Sequence, residues 1–179
     1  MHVSSNPSDV LPPIAAALPT GVARVREWLT FRLGTEEYGI DILQVQEIRS
    51  YEKPTRLVSA PHAVKGVINL RGVLVPVIDM RIQFGLESVA YDDFTVVIVL
   101  IVGDQTIGMV IDSVSDVVMI DPSEIRPAPA FEGRGISANL LGIGSLGERT
   151  LLLMDVVAVV SAPELALVKT TPSEAIAWQ

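Results

Sequence analysis

Residues 66–80 read GVINLRGVLVPVIDM, two apolar runs separated by one arginine and one glycine. Runs rich in valine, isoleucine and leucine are typical of β-strands. A two-residue connection that contains glycine is typical of a tight hairpin, because glycine readily takes the positive φ that such a turn requires. The stretch therefore predicts a β-hairpin with Arg71 and Gly72 at its tip.

This hairpin belongs to an internal repeat. Residues 33–48 align with residues 102–117, and residues 66–80 align with residues 142–156. The first alignment matches two glycines, a valine and an acidic residue, namely Gly34 with Gly103, Gly39 with Gly108, Val45 with Val114 and Glu47 with Asp116. The second matches Gly66 with Gly142, Leu70 with Leu146 and Asp79 with Asp155. The same order of matches in both copies indicates a duplication.

Each copy predicts the same series of elements: a strand, a glycine turn, a second strand, a loop, the hairpin and a helical turn. Short apolar strands with regular turns favour small closed β-barrels, because closure removes the edges that such strands would expose. We therefore expect an all-β fold with short helices, built as two barrel subdomains. The sequence leaves open whether the first strand of each copy stays in its own barrel or crosses to the other.

The repeat sets the expected domain boundaries. Residues 1–25 form a tail rich in proline, serine and alanine, which we expect to be disordered. The folded part then spans residues 26–169, with the first barrel repeat at about 28–91 and the second at about 92–160. A helix is predicted at 162–169 and a single helical turn at 61–66, and residues 170–179 form a C-terminal tail.

The composition excludes several classes of function. The net charge is −8, which repels nucleic acid and anionic membranes. The longest apolar stretch, residues 94–102, is far shorter than the ~20 residues of a membrane-spanning helix. The chain has no cysteine, so disulfide and thiol chemistry are excluded. We expect a soluble cytoplasmic protein.

Candidate catalytic and metal-binding residues have simpler structural interpretations. Asp79 and Asp155 each follow an apolar strand and precede a helical pattern, a position at which aspartate caps the helix N-terminus. His62 stands alone in a loop, and His2 lies in the tail. The acidic residues Asp41, Glu47, Asp112 and Asp116 are interpreted as solvated strand faces. The sequence therefore predicts no enzyme activity, no metal and no cofactor.

Five segments together closely resemble the CheW-type chemotaxis coupling proteins. They read LGTEEYGIDILQVQEIRSYEKPTRL, VKGVINLRGVLVPVIDMR, TVVIVL, SDVVMIDPSEIRPAPAF and LLGIGSLGERTLLLMDV, and the resemblance covers residues 26–168. It implies two SH3-like five-stranded barrels on a shared core, without enzyme activity. It also implies an adaptor that joins the cytoplasmic hairpin of methyl-accepting chemoreceptors to the regulatory domain of the histidine kinase CheA. Such an adaptor reaches membrane-associated receptor arrays only through these partners, with no direct membrane binding.

The resemblance also implies the binding residues. The receptor-binding positions that line or flank a groove between the barrels are Val45, Glu47, Arg71, Val96 and Val117. The kinase-binding positions at a barrel end are Arg126 and Phe131. In an apolar groove the valines would supply contact area for a helical hairpin, while Glu47 and Arg71 would fix its register.

Three alternatives remain at this point. The same module could serve another sensory or motility pathway, and its sequence would not differ. A small-molecule-binding β-barrel would need an enclosed pocket. An oligonucleotide-binding barrel is disfavoured by the acidic charge.

Overall fold

The computed structural model describes residues 25–86, 89–129 and 139–165. Within these ranges the chain forms eleven strands and two short α-helices. The elements of the first half are β1 (Arg26–Leu33), β2 (Glu36–Asp41), β3 (Val45–Ser50), β4 (Val64–Leu70), β5 (Val73–Asp79) and α1 (Met80–Gln83). Those of the second half are β6 (Val96–Val102), β7 (Gln105–Ile111), β8 (Ser113–Ile120), β9 (Ile125–Arg126), β10 (Leu140–Leu146), β11 (Arg149–Met154) and α2 (Val156–Val160).

The strands form two sheets that exchange strands between the two halves of the chain. The five-stranded sheet has the order β3-β6-β7-β5-β4, and the six-stranded sheet has the order β8-β1-β2-β11-β10-β9. The hairpin β1–β2 of the first copy thus lies with the second copy, and β6–β7 lies with the first. The expectation that one barrel ends and the next begins near residue 91 is therefore wrong for the sheets, although the prediction of a mainly β fold with short helices is confirmed.

The exchange rests on two equivalent parallel contacts. Gly39 on β2 pairs with Leu153 on β11, and Gly108 on β7 pairs with Val77 on β5. A Cβ on Gly39 would lie 3.1 Å from the Leu153 side chain. Both pairs join positions that are equivalent in the repeat. Strands β5 and β11 therefore offer equivalent pairing positions to β2 and to β7.

Three apolar clusters hold the two sheets. The largest, which includes Phe31, Ile40, Met80, Ile98 and Ile111, is shared by both sheets. Valines of β5, β6 and β7 form a second cluster on the five-stranded sheet, and Trp28 packs with side chains of β8 and β11 in a third on the six-stranded sheet. Apolar side chains thus fill the space that each sheet encloses. This packing counts against the alternative of a small molecule held inside a barrel.

Strand β1 shows how both faces of one strand become buried. Leu29, Phe31 and Leu33 lie on one face of β1, and all three join the shared cluster. On the opposite face Arg32 is exposed, but the two preceding side chains of that face are buried. Trp28 is 2% exposed and belongs to the cluster of the six-stranded sheet, and Thr30 is fully buried. Strand β1 therefore separates two cores.

Gly66 is required by a close approach of the chain and not by a helix end. The predicted helical turn at 61–66 is wrong, since β4 begins at Val64 and Gly66 lies within it at a register shift. Gly66 has φ 141°, and a Cβ there would lie 2.0 Å from the carbonyl oxygen of Thr55. A Cβ on the equivalent Gly142 would lie 2.7 Å from the carbonyl oxygen of Arg126. In both copies, therefore, another segment of the chain approaches this glycine closely.

The two helices begin as predicted. Asp79 accepts a hydrogen bond from the Arg81 N–H at the start of α1, and Asp155 accepts one from the Ala158 N–H in α2. Of the helix predicted at 162–169, the structure describes a 3-10 turn at Pro163–Leu165, while residues 166–169 and both predicted tails up to 24 and from 170 lie outside the described residues. No helix in the described ranges is long and apolar enough to span a membrane.

Candidate interaction surfaces

The tip of the β4–β5 hairpin holds Arg71 in a backbone conformation that non-glycine residues rarely adopt. Arg71 has φ 51° and Gly72 has φ 88°, so both tip residues lie in the left-handed region. This is the pattern of a type I′ turn. The side-chain oxygen of Asn69 accepts a hydrogen bond from the Gly72 N–H at 2.8 Å. The two-residue hairpin is confirmed, and its turn places Arg71 at the outermost point.

Arg71 forms an ion pair that joins the two edges of the five-stranded sheet. Its Nη2 lies 2.6 Å from Oε2 of Glu47 on β3. In the strand order, β3 and β4 are at opposite ends, so this contact exists only because the sheet curls back on itself. Two backbone hydrogen bonds of 2.9 Å between Thr55 and Val67 tie the segment after β3 to β4 in the same way. The tip arginine is therefore part of the closure of the barrel.

The second copy has an equivalent ion pair, which the sequence comparison missed. Asp116 on β8 corresponds to Glu47, and it accepts two hydrogen bonds from Arg149 on β11, at 2.9 and 3.1 Å. Arg149 also pairs with Glu37 on β2. The alignment places Gly147 opposite Arg71, so the arginine of the second copy lies two residues further along. Asp116 is thus not simply solvated, and hydrogen bonds from Arg149 and then Thr30 lower its pKa.

The predicted receptor-binding residues fall into two groups. Val45 on β3 and Val96 on β6 lie on neighbouring strands, and both are partly buried against the shared cluster. Glu47 and Arg71 are in direct contact, and the Arg71 side chain is 68% exposed. Val117 lies on β8, the outer strand of the other sheet, and is 51% exposed. The structure thus brings Glu47 and Arg71 into contact, while Val117 lies on the other sheet.

Two apolar side chains of these outer strands were not predicted. Ile48 on β3 and Met119 on β8 are both exposed. Met119 is two residues from Val117, so the two side chains share one face of β8. Residues 117–120 are all apolar, so the sequence carries no alternation that would separate the exposed Met119 from the buried Val118 and Ile120.

A groove of 810 Å³ opens at one end of the six-stranded sheet. Its apolar lining includes Trp28, Ile42, Leu43, Ile125, Leu141 and Leu153. Leu43 and Leu141 expose much of their surface. Arg126, the predicted kinase-binding residue, follows Ile125 on β9 and is exposed, whereas Phe131 lies outside the described residues. Of the two predicted kinase-binding residues, the structure therefore locates Arg126 only.

Asp79 takes part in a buried network that its helix-capping position did not reveal. Its carboxylate accepts hydrogen bonds of 3.0 Å from both Nε and Nη2 of Arg81, and one of 2.7 Å from the Tyr91 hydroxyl. Arg81 is 1% exposed and also donates to Asp112 at 3.0 Å. Burial raises the pKa of Asp79, but the hydrogen bonds from Arg81 and Tyr91 outweigh it and leave that pKa below its usual value. Asp79 is thus a charged structural group.

Tyr91 lies between the two copies of the repeat and closes this network. Its ring stacks on Tyr51 with centroids 4.5 Å apart, and the Arg81 guanidinium lies 4.8 Å from the ring centroid. The Arg81 guanidinium also donates a hydrogen bond of 2.5 Å to the carbonyl oxygen of Ala90. The network therefore fixes the linking segment to the core.

Two SH3-like barrels with filled interiors, exchanged strands and candidate residues on their outer strands define a protein interaction module. The chain belongs to the CheW family, because the CheW-like domain matches residues 27–164. It is 52% identical over 143 residues to the chemotaxis protein CheW of Klebsiella aerogenes, covering 80% of this chain and 86% of that protein. It is 32% identical over 146 residues to CheW of Bacillus subtilis, covering 82% and 91%.

A solved structure has the same fold. The crystal structure of the scaffolding protein TtCheW from Thermoanaerobacter tengcongensis superposes with a TM-score of 0.69 at 28% sequence identity. The match covers 73% of this chain and 89% of that chain. The described fold is therefore that of a chemotaxis scaffold protein.

Proposed function

We propose that this chain is a non-enzymatic adaptor that couples the cytoplasmic tips of chemoreceptors to the regulatory domain of the histidine kinase CheA. Its membership of the CheW family and its likeness to a chemotaxis scaffold protein support this function. The single observation that carries it is the Glu47–Arg71 pair, which presents an exposed arginine on the same sheet as the partly buried Val45 and Val96. The adaptor acts in the cytoplasm and joins membrane-associated receptor arrays through its partners.

The receptor contact combines an apolar strip with a charged pair. A receptor hairpin presents apolar side chains along one helical face, which pack on valines such as Val45 and Val96. Arg71 offers five donors on a long stem and can bind a receptor carboxylate in two-pronged fashion. Glu47 holds the guanidinium in place before the receptor arrives. The pair therefore fixes the register of the hairpin.

The kinase contact uses the groove at the end of the six-stranded sheet. The exposed Leu43 and Leu141 supply apolar area, and the exposed Arg126 directly follows the lining residue Ile125 on β9. Trp28 lines this groove, and its buried indole N–H has no acceptor among the described residues. Interfaces of signalling assemblies place such apolar centres within a polar rim. Phe131 remains the second residue that we propose for kinase binding.

The experiment is a pair of calorimetric titrations with partners from the same organism. The purified chain is titrated with the CheA regulatory domain, and separately with a receptor cytoplasmic fragment. Saturable binding to both supports the coupling function. The variant Arg71→Glu should lose receptor binding and keep kinase binding, and Arg32→Glu is the control because Arg32 is an exposed arginine of β1. Equal receptor affinity of all three proteins would remove Arg71 from the site.

The alternative is an adaptor of another sensory or motility pathway. Its fold and surfaces would be the same, so only the partner differs. This alternative would be established if the folded chain bound neither chemotaxis partner but bound the receptor or kinase of a different pathway.

A further inference from the structure

A second concave site lies on the five-stranded sheet, beside the end of β3. This cavity of 490 Å³, the basic pocket, lies between the stacked Tyr51 and Tyr91 and the loop that joins β3 to β4. Its complete lining is Tyr51, Lys53, Pro54, Arg56, Leu57, Ala60, Pro61, His62, Val64, Lys65 and Tyr91. Of the predicted receptor- and kinase-binding residues that the structure describes, none is among them.

The charge of this pocket is opposite to that of the protein. Three of the chain's 13 lysines and arginines line it, together with one of its two histidines. Among the residues that the structure describes, no aspartate or glutamate lines it. In the part of the chain that the structure describes, no carboxylate forms a salt bridge with Lys53, Arg56 or Lys65. The pocket is therefore a local positive site on an acidic surface, which attracts a small acidic ligand.

The walls of the pocket are held by backbone and ring contacts. Thr55 exchanges two hydrogen bonds of 2.9 Å with Val67, and the Val64 N–H donates to the Pro61 carbonyl at 3.0 Å. Tyr91 donates a hydrogen bond to the buried Asp79. The Lys65 ammonium lies 5.7 Å from the centroid of the Tyr91 ring. A site with fixed walls loses little conformational entropy when it binds a ligand.

The surroundings also select the kind of anion. Leu57, in the lining, is 48% exposed, and the adjacent Val58 is 96% exposed. Inorganic phosphate would engage the cations and leave this apolar surface in water. A long polyanion such as nucleic acid would be repelled by the net charge of −8. A short peptide with carboxylates and one large apolar side chain matches both features.

We propose that the basic pocket binds an acidic peptide segment of a partner protein, with its carboxylates at Lys53 and Arg56 and an apolar side chain against Leu57. This third surface goes beyond receptor and kinase coupling. The cavity volume lies within the range of about 300–1,000 Å³ that is typical of ligand sites. The stacked tyrosines supply a planar wall at its base.

The test is fluorescence anisotropy with the full chain and a labelled Glu-Glu-Leu-Glu-Glu peptide. The pocket variant is Lys53→Gln with Arg56→Gln, two exposed side chains without a salt bridge in the described residues. The control variant, Arg26→Gln with Arg32→Gln, removes the same charge elsewhere. We expect the pocket variant to weaken binding about tenfold, and the control to change it less than about twofold.

A second variant and two further probes separate the alternatives. A Glu-Glu-Gly-Glu-Glu peptide should bind the unchanged chain more weakly than the leucine peptide does. Leu57→Ser should lower the affinity for the leucine peptide and leave the affinity for the glycine peptide unchanged. Equal binding of the two peptides, or displacement by inorganic phosphate at the same concentration as by unlabelled peptide, would show a site for anions alone and overturn the proposal. An absence of binding, or an equal loss in pocket and control variants, would overturn it as well. None of these outcomes depends on receptor or kinase binding.

Discussion

Glu47 and Arg71 meet at 2.6 Å although their strands stand at opposite ends of the five-stranded sheet. The contact has two consequences. It closes the barrel on its exposed side, and it holds the guanidinium at the point where a receptor is proposed to dock. Because Arg71 is 68% exposed, water screens the pair, and the binding role should outweigh the stabilising one.

The first prediction concerns Arg71→Ala. We expect the free energy of unfolding to fall by less than about 1 kcal/mol, since exposed ion pairs contribute little. Receptor affinity should fall clearly in the same protein. Urea denaturation and calorimetric titration measure the two quantities. A double-mutant cycle with Glu47→Ala isolates the pair, and a coupling energy well above ~1 kcal/mol would assign Arg71 mainly to the fold.

The second prediction concerns the equivalent pair of the other copy. Arg149→Ala removes hydrogen bonds to both Asp116 and Glu37, so β8 and β2 both lose this side-chain link to β11. We expect a loss of about 1–2 kcal/mol, larger than for Arg71→Ala. Receptor affinity should change little, since Arg149 is not among the proposed receptor contacts. A smaller effect on unfolding than that of Arg71→Ala would contradict the assigned role.

The repeat made the strands, the hairpin and both helix caps predictable, but not the exchange of strands. Gly39 and Gly108 are equivalent, and so are Leu153 and Val77, so sequence alone offers each strand two equal partners. The Arg149 ion pair was not predicted, because Arg149 lies two residues beyond Gly147, the position that aligns with Arg71. In both cases the missing information is the path of the chain in space, which local patterns do not encode.

The third prediction concerns the buried network. Arg81→Met leaves the Asp79 carboxylate at 0% exposure without its charged partner. Removing one member of a buried ion pair costs about 3–5 kcal/mol. Tyr91→Phe, which removes a single hydrogen bond and keeps the ring, should cost about 1–2 kcal/mol. Chemical denaturation of both variants checks the order, and a reversed order would place the tyrosine hydroxyl at the centre of the network.

The fourth prediction is the pH dependence that follows from the same network. Burial raises the pKa of Asp79, but hydrogen bonds from Arg81 and Tyr91 lower it by more, so the net pKa is below the usual 3.8. The unfolded chain therefore takes up this proton first as the pH falls. The stabilisation from Asp79 is present above the unfolded pKa and is lost as the pH falls through the folded one. In Arg81→Met, burial should dominate, and acidification towards pH ~4 should instead stabilise the protein. Urea midpoints measured across this range give the sign, and the same sign in both proteins would refute the argument.

The last prediction concerns Gly66→Ala. A Cβ at this position would lie 2.0 Å from the Thr55 carbonyl oxygen, and φ 141° is unfavourable for any side chain. We expect a loss of about 3 kcal/mol or more, since the crossing chain must move and its two hydrogen bonds to Val67 are disturbed. Gly72→Ala is the matched control, because its φ is 88° but a Cβ there meets nothing within 4 Å. That control should lose only about 1 kcal/mol. Thermal and urea unfolding of both variants separates backbone strain from steric collision. Equal losses in the free energy of unfolding would mean that the segment at Thr55 moves aside without destabilising the protein.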